Sequence, residues 1–293
     1  MIQYTYMTKM TKILLYSSQI PACIGSNRYC KPAEAFEKVW QRISPHTYKN
    51  ALERNSLKTD EQRFDEIVAK NVSVAQIVTS AEKIAEHVTV SPEISKAYVA
   101  ASKTISTDPT LSISDTKVVD SAIRKTMFTS FGTRNESGIF DEVRGRLKFD
   151  IERDDSFRHI VLGDIDGIEW GIGGRLDGIS TDGSTVVEIK QRINRLFGTA
   201  PPYEYVQIQC YLRMVESATE AVLVESFCSP QGGRVMNVIP IDKDDDMWTD
   251  DIQPKLQAFV QYLICIMGDE SMQDEFMKSK RRSSLITKRF SSN

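Results

Sequence analysis

The dipeptide Asp182-Gly183, placed between two short strand-like segments, is the feature that most constrains the fold of this chain. An Asp-Gly pair in this setting is typical of a two-residue β-hairpin turn. Such a turn fixes the register of the strands, because residues that face each other then have numbers summing to 365, as 182 and 183 do. Asp177 and Glu188 have the same sum, so the hairpin predicts that their carboxylates are direct cross-strand neighbours.

Two facing carboxylates of this kind indicate a metal site. Opposed residues share a face of the sheet with Cβ atoms about 5 Å apart, and Lys190 returns to that face two residues after Glu188. Two like charges this close are unfavourable without a cation, and oxygen ligands without histidine or cysteine favour magnesium or manganese over zinc. A bound ion lowers the pKa of its water and neutralises charge on a phosphate, while an ammonium group beside it holds the attacking hydroxide. The hairpin therefore predicts phosphodiester hydrolysis.

The alternative is that Asp177 is a surface residue near the turn and that EIK is the ordinary end of an amphipathic strand. The segment TVVEIK favours the metal site, because a strand with apolar Val186, Val187 and Ile189 ends there in two charges. The spacing of one aspartate, one glutamate and one lysine is weak support by itself.

The same residues resemble those of the PD-(D/E)XK nucleases, and look most like the lambda exonuclease branch, also called the YqaJ-type viral recombinase nucleases. In that family an aspartate followed by glycine precedes an E-x-K strand, as Asp177-Gly178 precedes EIK here. Three further segments match the family in order. They are GTRNE (132–136) on a helix before the core, Gln207, Gln209 and Tyr211 on a helix after it, and the opening segment SSQIPACIGSNRYCKPAEAFEKVW. The resemblance covers roughly residues 14–43 and 126–215.

The resemblance implies a role for each matching residue of the metal site. Asp177 and Glu188 would bind the metal, with the backbone carbonyl of Ile189 as a further ligand. Glu136 would complete the site directly or through water. Lys190 would orient or activate the nucleophile.

The remaining matches imply contacts with DNA and supporting positions. Gln207 would lie beside the metals or the scissile phosphate, and Tyr211 and Gln209 would support that helix. Arg28, together with Ser26, would bind near the 5′ end of the substrate strand, where a guanidinium can grip a phosphate through two hydrogen bonds.

Structural alternatives stay open for several of these residues. Arg28 could cap or solvate the turn before the following helix, and Glu136 could be one more exposed helical acid. Tyr211 is as readily a core residue as a functional one. Gln207 and Gln209 cannot both face the site from one helix, and the four-residue step to Tyr211 favours Gln207.

The chain departs from the family pattern just before the aspartate, where Leu176 replaces the usual proline. The preceding residue is Arg175, which the predicted register places opposite Lys190. Two cations on one face imply an anion between them. This anion would be either a substrate phosphate, which makes Arg175 a candidate for the 5′-phosphate pocket, or a local acid such as Glu204.

The rest of the chain predicts one nuclease domain over residues 1–293, of α/β (α+β) class, with a central mixed β-sheet flanked by helices. The resemblance implies that this is the restriction-endonuclease-like PD-(D/E)XK core. Apolar residues spaced at three and four predict a helical insertion at 45–113, which could be a cap over the site, a partner-binding module or a structural layer. The basic segment 278–293 is predicted to be a flexible tail. The expected elements are helices at 32–43, 115–143 and 246–267, a loop at 106–115, and strands near 147–153, 158–162, 221–228 and 234–241.

Composition predicts a soluble intracellular protein, and the family resemblance implies a virus-infected host cell or a bacterial cytoplasm as its location. No signal peptide is visible, and the apolar run QAFVQYLICIM is too short to span a bilayer, so no membrane is expected as a partner. Five cysteines form no CxxC pair, so reduced thiols are expected and zinc is not. The net charge of −3 is unusual for a DNA-binding protein but leaves room for a local basic channel.

Together these features predict a deoxyribonuclease with two Mg²⁺ or Mn²⁺ ions, acting as a 5′-to-3′ exonuclease on linear duplex DNA in viral or phage-type recombination, replication or repair. The resemblance implies a single-strand annealing protein as a partner and a ring-shaped homotrimer. One alternative is a structure-selective or nicking endonuclease with the same core, which would cut covalently closed DNA. Another is a catalytically silent DNA-binding or assembly module, against which the intact Asp177, Glu188 and Lys190 argue.

Overall fold

The computed structural model describes residues 12–88, 91–228 and 233–291, without the side chains of Ser91, of residues 130–138 and of Ser291. The strands are β1 (Lys12–Tyr16), β2 (Ile151–Glu152), β3 (Arg158–Ile165), β4 (Ile168–Gly174), β5 (Gly178–Ser180), β6 (Thr185–Arg192), β7 (Glu220–Cys228) and β8 (Arg234–Asp242). The helices are α1 (Ile20–Cys23), α2 (Pro32–Ile43), α3 (Pro45–Arg54), α4 (Asp60–Lys70), α5 (Val72–His87), α6 (Ser91–Ser106), α7 (Ile113–Arg146), α8 (Pro202–Met214), α9 (Asp245–Met247), α10 (Gln253–Gly268), α11 (Glu270–Lys278) and α12 (Arg282–Thr287), with a π-helical turn at Trp248–Ile252 and a 3₁₀ turn at Lys288–Ser291.

Most predicted elements are present, with different bounds. The helix at 32–43 is confirmed, whereas α7 extends further at both ends than the predicted 115–143, because Ser112 caps its start by accepting a hydrogen bond from the N–H of Asp115. The predicted loop at 106–115 is correspondingly shorter. The predicted helix at 246–267 is interrupted by the π-helical turn. Residues 229–232, between the predicted strands near 221–228 and 234–241, lie outside the described residues.

The strands form two mixed sheets rather than one central sheet. In the first, β1 lies parallel to β4 and β3 lies antiparallel to it. The second has the order β2-β5-β6-β7-β8, in which β6 and β7 are parallel and the other neighbours antiparallel. Parallel neighbours need a crossover, which α8 supplies. The α/β class with helices flanking mixed sheets is thus confirmed.

The register of the β5–β6 hairpin is the one predicted. Gly178 faces Val187 and Ile179 faces Val186, so each pair sums to 365. The ladder begins at Gly178, and Asp177 therefore lies one residue before β5.

The turn itself is longer than the predicted two residues, because β5 ends at Ser180 and β6 begins at Thr185. The N–H of Gly183 donates to the carbonyl of Ser180 over 2.8 Å, and Gly183 has φ of 75°, which glycine adopts without strain. Asp182 accepts hydrogen bonds from the hydroxyls of Ser180 and Ser184, and these bonds lower the pKa of Asp182 to about 2. The aspartate thus organises the loop through its side chain.

Three groups of buried apolar residues hold the fold together. The largest joins β1, β4, α1–α3, α8 and α10, with the ring of Phe36 lying 5.2 Å from Phe259 and 5.0 Å from Phe276. A second group lies among α4–α7 and includes Ile94 and Met127. The third packs α7 against one face of β6 and β7. The second sheet therefore has α8 on one face and α7 on the other.

The predicted insertion at 45–113 is divided between two of these groups. Helix α3 places Tyr48 and Leu52 in the largest core, whereas α4–α6 pack against α7. The helical layer over α7 thus begins near Asp60.

The C-terminal segment is packed where a flexible tail was predicted. Ile286 of α12 is fully buried in the largest core, Arg282 forms an ion pair with Glu37 at 2.8 Å, and the N–H of Ala33 donates to the hydroxyl of Ser283. Leu285 and Phe290 pack against the same core, so apolar side chains anchor this basic sequence. Across the described ranges, no helix is both long and apolar enough to cross a bilayer.

Candidate functional site

Strand β6 carries charged residues on one face only. Val187 and Ile189 point towards α7 and are buried there, whereas Val186 is buried on the side of α8. Because side chains alternate along a strand, Glu188 and Lys190 lie on the face towards α8. The candidate site is therefore enclosed between β6 and α8.

Glu188 is buried, with 3% of its side chain exposed, and it has two partners. Its Oε1 forms an ion pair with the ammonium group of Lys190 and accepts a hydrogen bond from Nε2 of Gln207 at 3.2 Å. Burial raises the pKa of Glu188 to about 8; Lys190 opposes this rise and the charge of Asp177 adds to it. A carboxylate in this environment is poorly stabilised by its protein neighbours.

Lys190 has 29% of its side chain exposed and stays protonated. Burial alone would lower its pKa, but the charges of Glu188 and Asp177 outweigh burial and raise it. Lys190 is therefore a cation that reaches solvent beside the buried carboxylate.

Asp177 is held by the backbone of β6. Its Oδ2 accepts a hydrogen bond from the N–H of Ile189 at 2.6 Å. The N–H and C=O groups of one strand residue point to the same side, so the carbonyl of Ile189 faces the side of Asp177. We call Asp177, Glu188 and Lys190 the carboxylate cluster.

Helix α8 presents Gln207 to this cluster and turns Gln209 away from it. Nε2 of Gln207 also donates to the hydroxyl of Tyr211 at 2.6 Å, and Tyr211 is buried. Gln209 instead bonds the chain after β8: its Nε2 donates to the carbonyl of Asp242 and its Oε1 accepts from the N–H of Asp244, both at 2.9 Å. The choice of Gln207 over Gln209 as the residue facing the site agrees with the geometry.

Gly174, at the end of β4, permits close packing beside Tyr211. A Cβ on Gly174 would lie 2.9 Å from Oγ of Ser17 and 3.1 Å from Cε1 of Tyr211. Ser17 donates to the carbonyl of Gly173 through both its N–H and its hydroxyl. These contacts join β1, β4 and α8 beside Tyr211, the hydrogen-bond partner of Gln207.

A second charged group, which sequence reasoning missed, lies further along the same face of β6. The guanidinium of Arg192 forms a two-pronged ion pair with Glu204 on α8, at 2.5 and 2.6 Å, and its Nε contacts Glu225 on β7 at 2.7 Å. All three side chains are buried. We call Arg192, Glu204 and Glu225 the arginine cluster.

Backbone groups complete the arginine cluster. Glu225 accepts hydrogen bonds from the N–H groups of Phe197 and Gly198, in the loop between β6 and α8. Burial by itself would raise the pKa of Glu225, but these bonds and Arg192 lower it. The cluster ties β6, β7, α8 and their connecting loop into one unit. One charged residue, Glu225, inside the largely apolar strand segment AVLVESFC was the available sequence signal.

Arg175 is not opposite Lys190, contrary to the prediction. It lies exposed in the link between the two sheets, where the hairpin ladder has not yet begun. Glu204 does not lie between these two cations either, because it is the partner of Arg192. The register holds only as far as the backbone pairing continues.

The loop before α2 lies beside the start of α8. Arg28 is exposed and its guanidinium contacts both the ring and the hydroxyl of Tyr29, while the N–H of Ser26 donates to the carbonyl of Pro21. The ring of Tyr29 lies 5.7 Å from that of Tyr203 on α8. Arg28 and Ser26 are thus on the loop that borders the helix carrying Gln207.

Glu136 is part of helix α7, but the structure does not describe its side chain. Among the side chains that are described, no group of three or more His, Cys, Asp or Glu residues is arranged to hold a metal. Asp177 and Glu188 therefore form a pair whose predicted third acid is not described.

The chemistry of this pair fits a hard cation. Both groups are carboxylates, and no hydrogen bond from the described residues reaches Oδ1 of Asp177 or Oε2 of Glu188. The carbonyl of Ile189 adds a third oxygen on the same side. Magnesium or manganese would have oxygen ligands here and would offset the repulsion between the two acids.

Comparison with known proteins adds little to this picture. No protein-family model matches the sequence, and no curated protein matches it significantly. Among solved structures, an alkaline exonuclease from Laribacter hongkongensis aligns with 18% identity and a TM-score of 0.38, over 51% of this chain and 74% of that one. SSO0001 aligns with 18% identity and a TM-score of 0.35, over 70% and 85% of the two chains. Both TM-scores are below 0.5, so neither similarity carries an argument about function.

Proposed function

We propose that this protein is a divalent-metal-dependent deoxyribonuclease. The observation that carries the proposal is the carboxylate cluster: Asp177 beside a buried Glu188 that is paired with a part-exposed Lys190. Two oxygen ligands for a hard cation and an ammonium group at the solvent edge are the components that phosphodiester hydrolysis needs. We propose Mg²⁺ or Mn²⁺, with two ions, as the cofactor.

Each residue of the site would have a distinct task. Asp177, Glu188 and the carbonyl of Ile189 would hold a divalent ion, which when bound supplies a water of lowered pKa and charge neutralisation at the phosphate. Lys190, anchored by Glu188, would orient the attacking hydroxide. Gln207 would fix the carboxylate of Glu188 through the hydrogen bond at 3.2 Å. Glu136 would add a further ligand.

Within this class we propose a 5′-to-3′ exonuclease on linear duplex DNA, acting in viral or phage-type recombination, replication or repair. Support comes from the ordered motifs of the sequence and from the position of Arg28 and Ser26 beside the start of α8, where they could bind a 5′ phosphate. Arg175, exposed before the hairpin, would contact the DNA backbone. A single-strand annealing protein as partner and a homotrimer belong to the same proposal.

The test is degradation of linear duplex DNA bearing a 5′ phosphate, beside covalently closed circular DNA, with Mg²⁺ or with EDTA. The wild type is compared with Lys190→Ala and with Lys83→Ala, an exposed lysine of α5, as the matched control. We expect Mg²⁺-dependent loss of the linear DNA only, abolished by Lys190→Ala and unchanged by Lys83→Ala.

The other outcomes separate the alternatives. Cutting of the closed circle would contradict the exonuclease and indicate an endonuclease with the same site. Binding of DNA without cleavage of either substrate would contradict the nuclease and indicate a binding or assembly module.

A further inference from the structure

Tyr29 is a large aromatic side chain held in an exposed position. Its side chain is among the exposed hydrophobic ones, with 55% of the residue accessible. The backbone around it is fixed, because Oδ1 of Asn27 accepts hydrogen bonds from the N–H groups of Tyr29 and Cys30, at 2.8 and 3.3 Å, and α2 begins at Pro32. The ring is therefore presented to solvent by a well-defined turn.

Two contacts orient the ring and leave 55% of the residue accessible: the ring of Tyr203 and the guanidinium of Arg28, which lies over the Tyr29 ring. Tyr203 of α8 meets it edge to face, with centroids 5.7 Å apart and planes at 80°. The guanidinium of Arg28 lies 4.7 Å from the ring centroid. Such contacts fix an aromatic ring and place a positive charge beside it. A flat ring with an adjacent cation is complementary to a nucleotide, which has a π-face and a phosphate.

The position of this pair relative to the candidate site follows from helix geometry. Tyr203, Gln207 and Tyr211 are spaced four residues apart, so they lie along one face of α8. Four residues correspond to about 6 Å along the helix axis. Gln207 contacts Glu188 directly. Tyr203 thus lies about one helical turn from the amide that contacts Glu188, on the same helix face, and the ring of Tyr29 lies a further 5.7 Å from the ring of Tyr203.

That separation is short on the scale of a nucleic-acid strand, whose stacked nucleotides rise by about 3.4 Å each. A strand with its scissile phosphate at Glu188 would bring a base about three or four nucleotides away to the Tyr29 ring. Stacking of bases on aromatic rings is tolerant of sequence, because every base has a π-face.

We propose that Tyr29, supported by Tyr203, is a stacking platform for a nucleobase of the substrate strand. The inference rests on the proposed function, because it takes DNA as the ligand. It adds a subsite to the phosphate contacts of Arg28 and Ser26: the ring recognises a base, so the site selects a strand with an unpaired or frayed base at this position.

The test measures binding without cleavage, by fluorescence anisotropy in EDTA. The ligand is a duplex with a 5′-phosphorylated strand in which each of the first four nucleotides is replaced in turn by an abasic nucleotide. The proteins are the wild type, Tyr29→Leu, which keeps an apolar side chain without a ring, and Tyr29→Phe, which keeps the ring. Thermal melting checks that each variant is folded.

We expect Tyr29→Leu to weaken binding of the intact duplex about 10-fold, as for loss of one stacked base, and Tyr29→Phe to bind like the wild type. We further expect one abasic position to weaken wild-type binding by a similar factor and to have no added effect on Tyr29→Leu. This non-additivity identifies the base that contacts the ring. A ring that only packs against Tyr203 would show additive losses at every position.

Additive losses at all four positions, or unchanged binding by Tyr29→Leu, would overturn the proposal. So would a Tyr29→Phe variant as weak as Tyr29→Leu. Cleavage by the wild type in Mg²⁺ is measured separately. Non-additive binding losses without cleavage would support the stacking platform and contradict the nuclease. Cleavage with additive binding losses would support the nuclease and contradict the stacking platform.

Discussion

The carboxylate cluster and the arginine cluster lie two residues apart on the same face of β6, and both contain buried acids, but their charges are balanced very differently. Glu225 in the arginine cluster has a guanidinium and two backbone N–H groups as partners, and its pKa is lowered despite burial. Glu188 in the carboxylate cluster has Lys190 and one amide, with Asp177 close by, and its pKa is raised to about 8.

The difference separates a structural group from a candidate site. In a buried ion-pair network with complete hydrogen bonds, every charge is already stabilised without a further ligand. Two neighbouring acids with too few hydrogen-bond donors are instead stabilised by a bound cation. Carboxylates with pKa values perturbed in this way are typical of functional sites. The arginine cluster holds α8 against β6, and the carboxylate cluster uses that fixed geometry.

The largest effect is expected from Asp177→Asn, which keeps an acceptor for the N–H of Ile189 but removes a charged ligand. The initial rate of Mg²⁺-dependent DNA cleavage should fall at least about a thousandfold, because metal-ion stabilisation of the transition state amounts to several kcal/mol. Asp155→Asn, at an exposed aspartate, is the matched control and should leave the rate unchanged. Cleavage by Asp177→Asn at the wild-type rate would contradict a catalytic role for the carboxylate cluster.

Arg192→Met should cause the largest loss of stability. Removing the guanidinium leaves two buried carboxylates unpaired, so the free energy of unfolding should fall by about 3–5 kcal/mol. The control is Arg213→Met on α8, where the partner Asp245 is exposed and the pair should contribute no more than about 1 kcal/mol. Denaturant unfolding measures both, and equal losses would contradict the structural role of the arginine cluster.

Gln207→Leu and Gln209→Leu should separate activity from stability on one helix. Gln207→Leu removes the hydrogen bonds to Glu188 and to the hydroxyl of Tyr211, and it should lower the cleavage rate per folded molecule about tenfold. Gln209→Leu leaves two polar groups near β8 without their partner and should cost about 1–3 kcal/mol of stability, with the rate per folded molecule retained. Cleavage rates and denaturant midpoints are measured on the same preparations. The reverse pattern would show that Gln209 acts in the candidate site and that Gln207 has the structural role.

The smallest effect is a pH dependence of the arginine cluster. The pKa of Glu225 is lowered in the folded protein from its ordinary 4.5, so its stabilisation is fully present above pH 4.5 and is lost as pH falls through the folded pKa. Glu225→Gln should therefore lower the melting temperature at pH 7, and the gap to the wild type should narrow below pH 4.5. A gap that stays constant with pH would show that the charge of Glu225 contributes nothing.

The features that sequence could predict are local ones. The Asp-Gly turn predicted the correct hairpin register, although the loop is longer than expected. The four-residue spacing to Tyr211 predicted that Gln207, rather than Gln209, faces Glu188. Both results depend only on the periodicity of one or two neighbouring elements.

The features that sequence could not predict depend on partners far along the chain. Arg192 meets Glu225 across 33 positions, and Arg282 meets Glu37 across 245. Nothing in the local pattern selects these partners, so the alternative that placed Glu204 between Arg175 and Lys190 was wrong, and the segment 278–293 was expected to be a flexible tail. Arg175 was misplaced because the register was extended beyond the first ladder pair at Gly178.

Binding of Mn²⁺ to the protein without DNA tests the central claim, that Asp177 and Glu188 form a divalent-cation site, most directly. Free Mn²⁺ is titrated by electron paramagnetic resonance against the wild type, Asp177→Asn, Glu188→Gln and the control Asp155→Asn. The account predicts that the wild type and the control bind Mn²⁺ and that both site variants lose this binding while remaining folded. Equal binding by all four proteins, or no binding by the wild type, would contradict it.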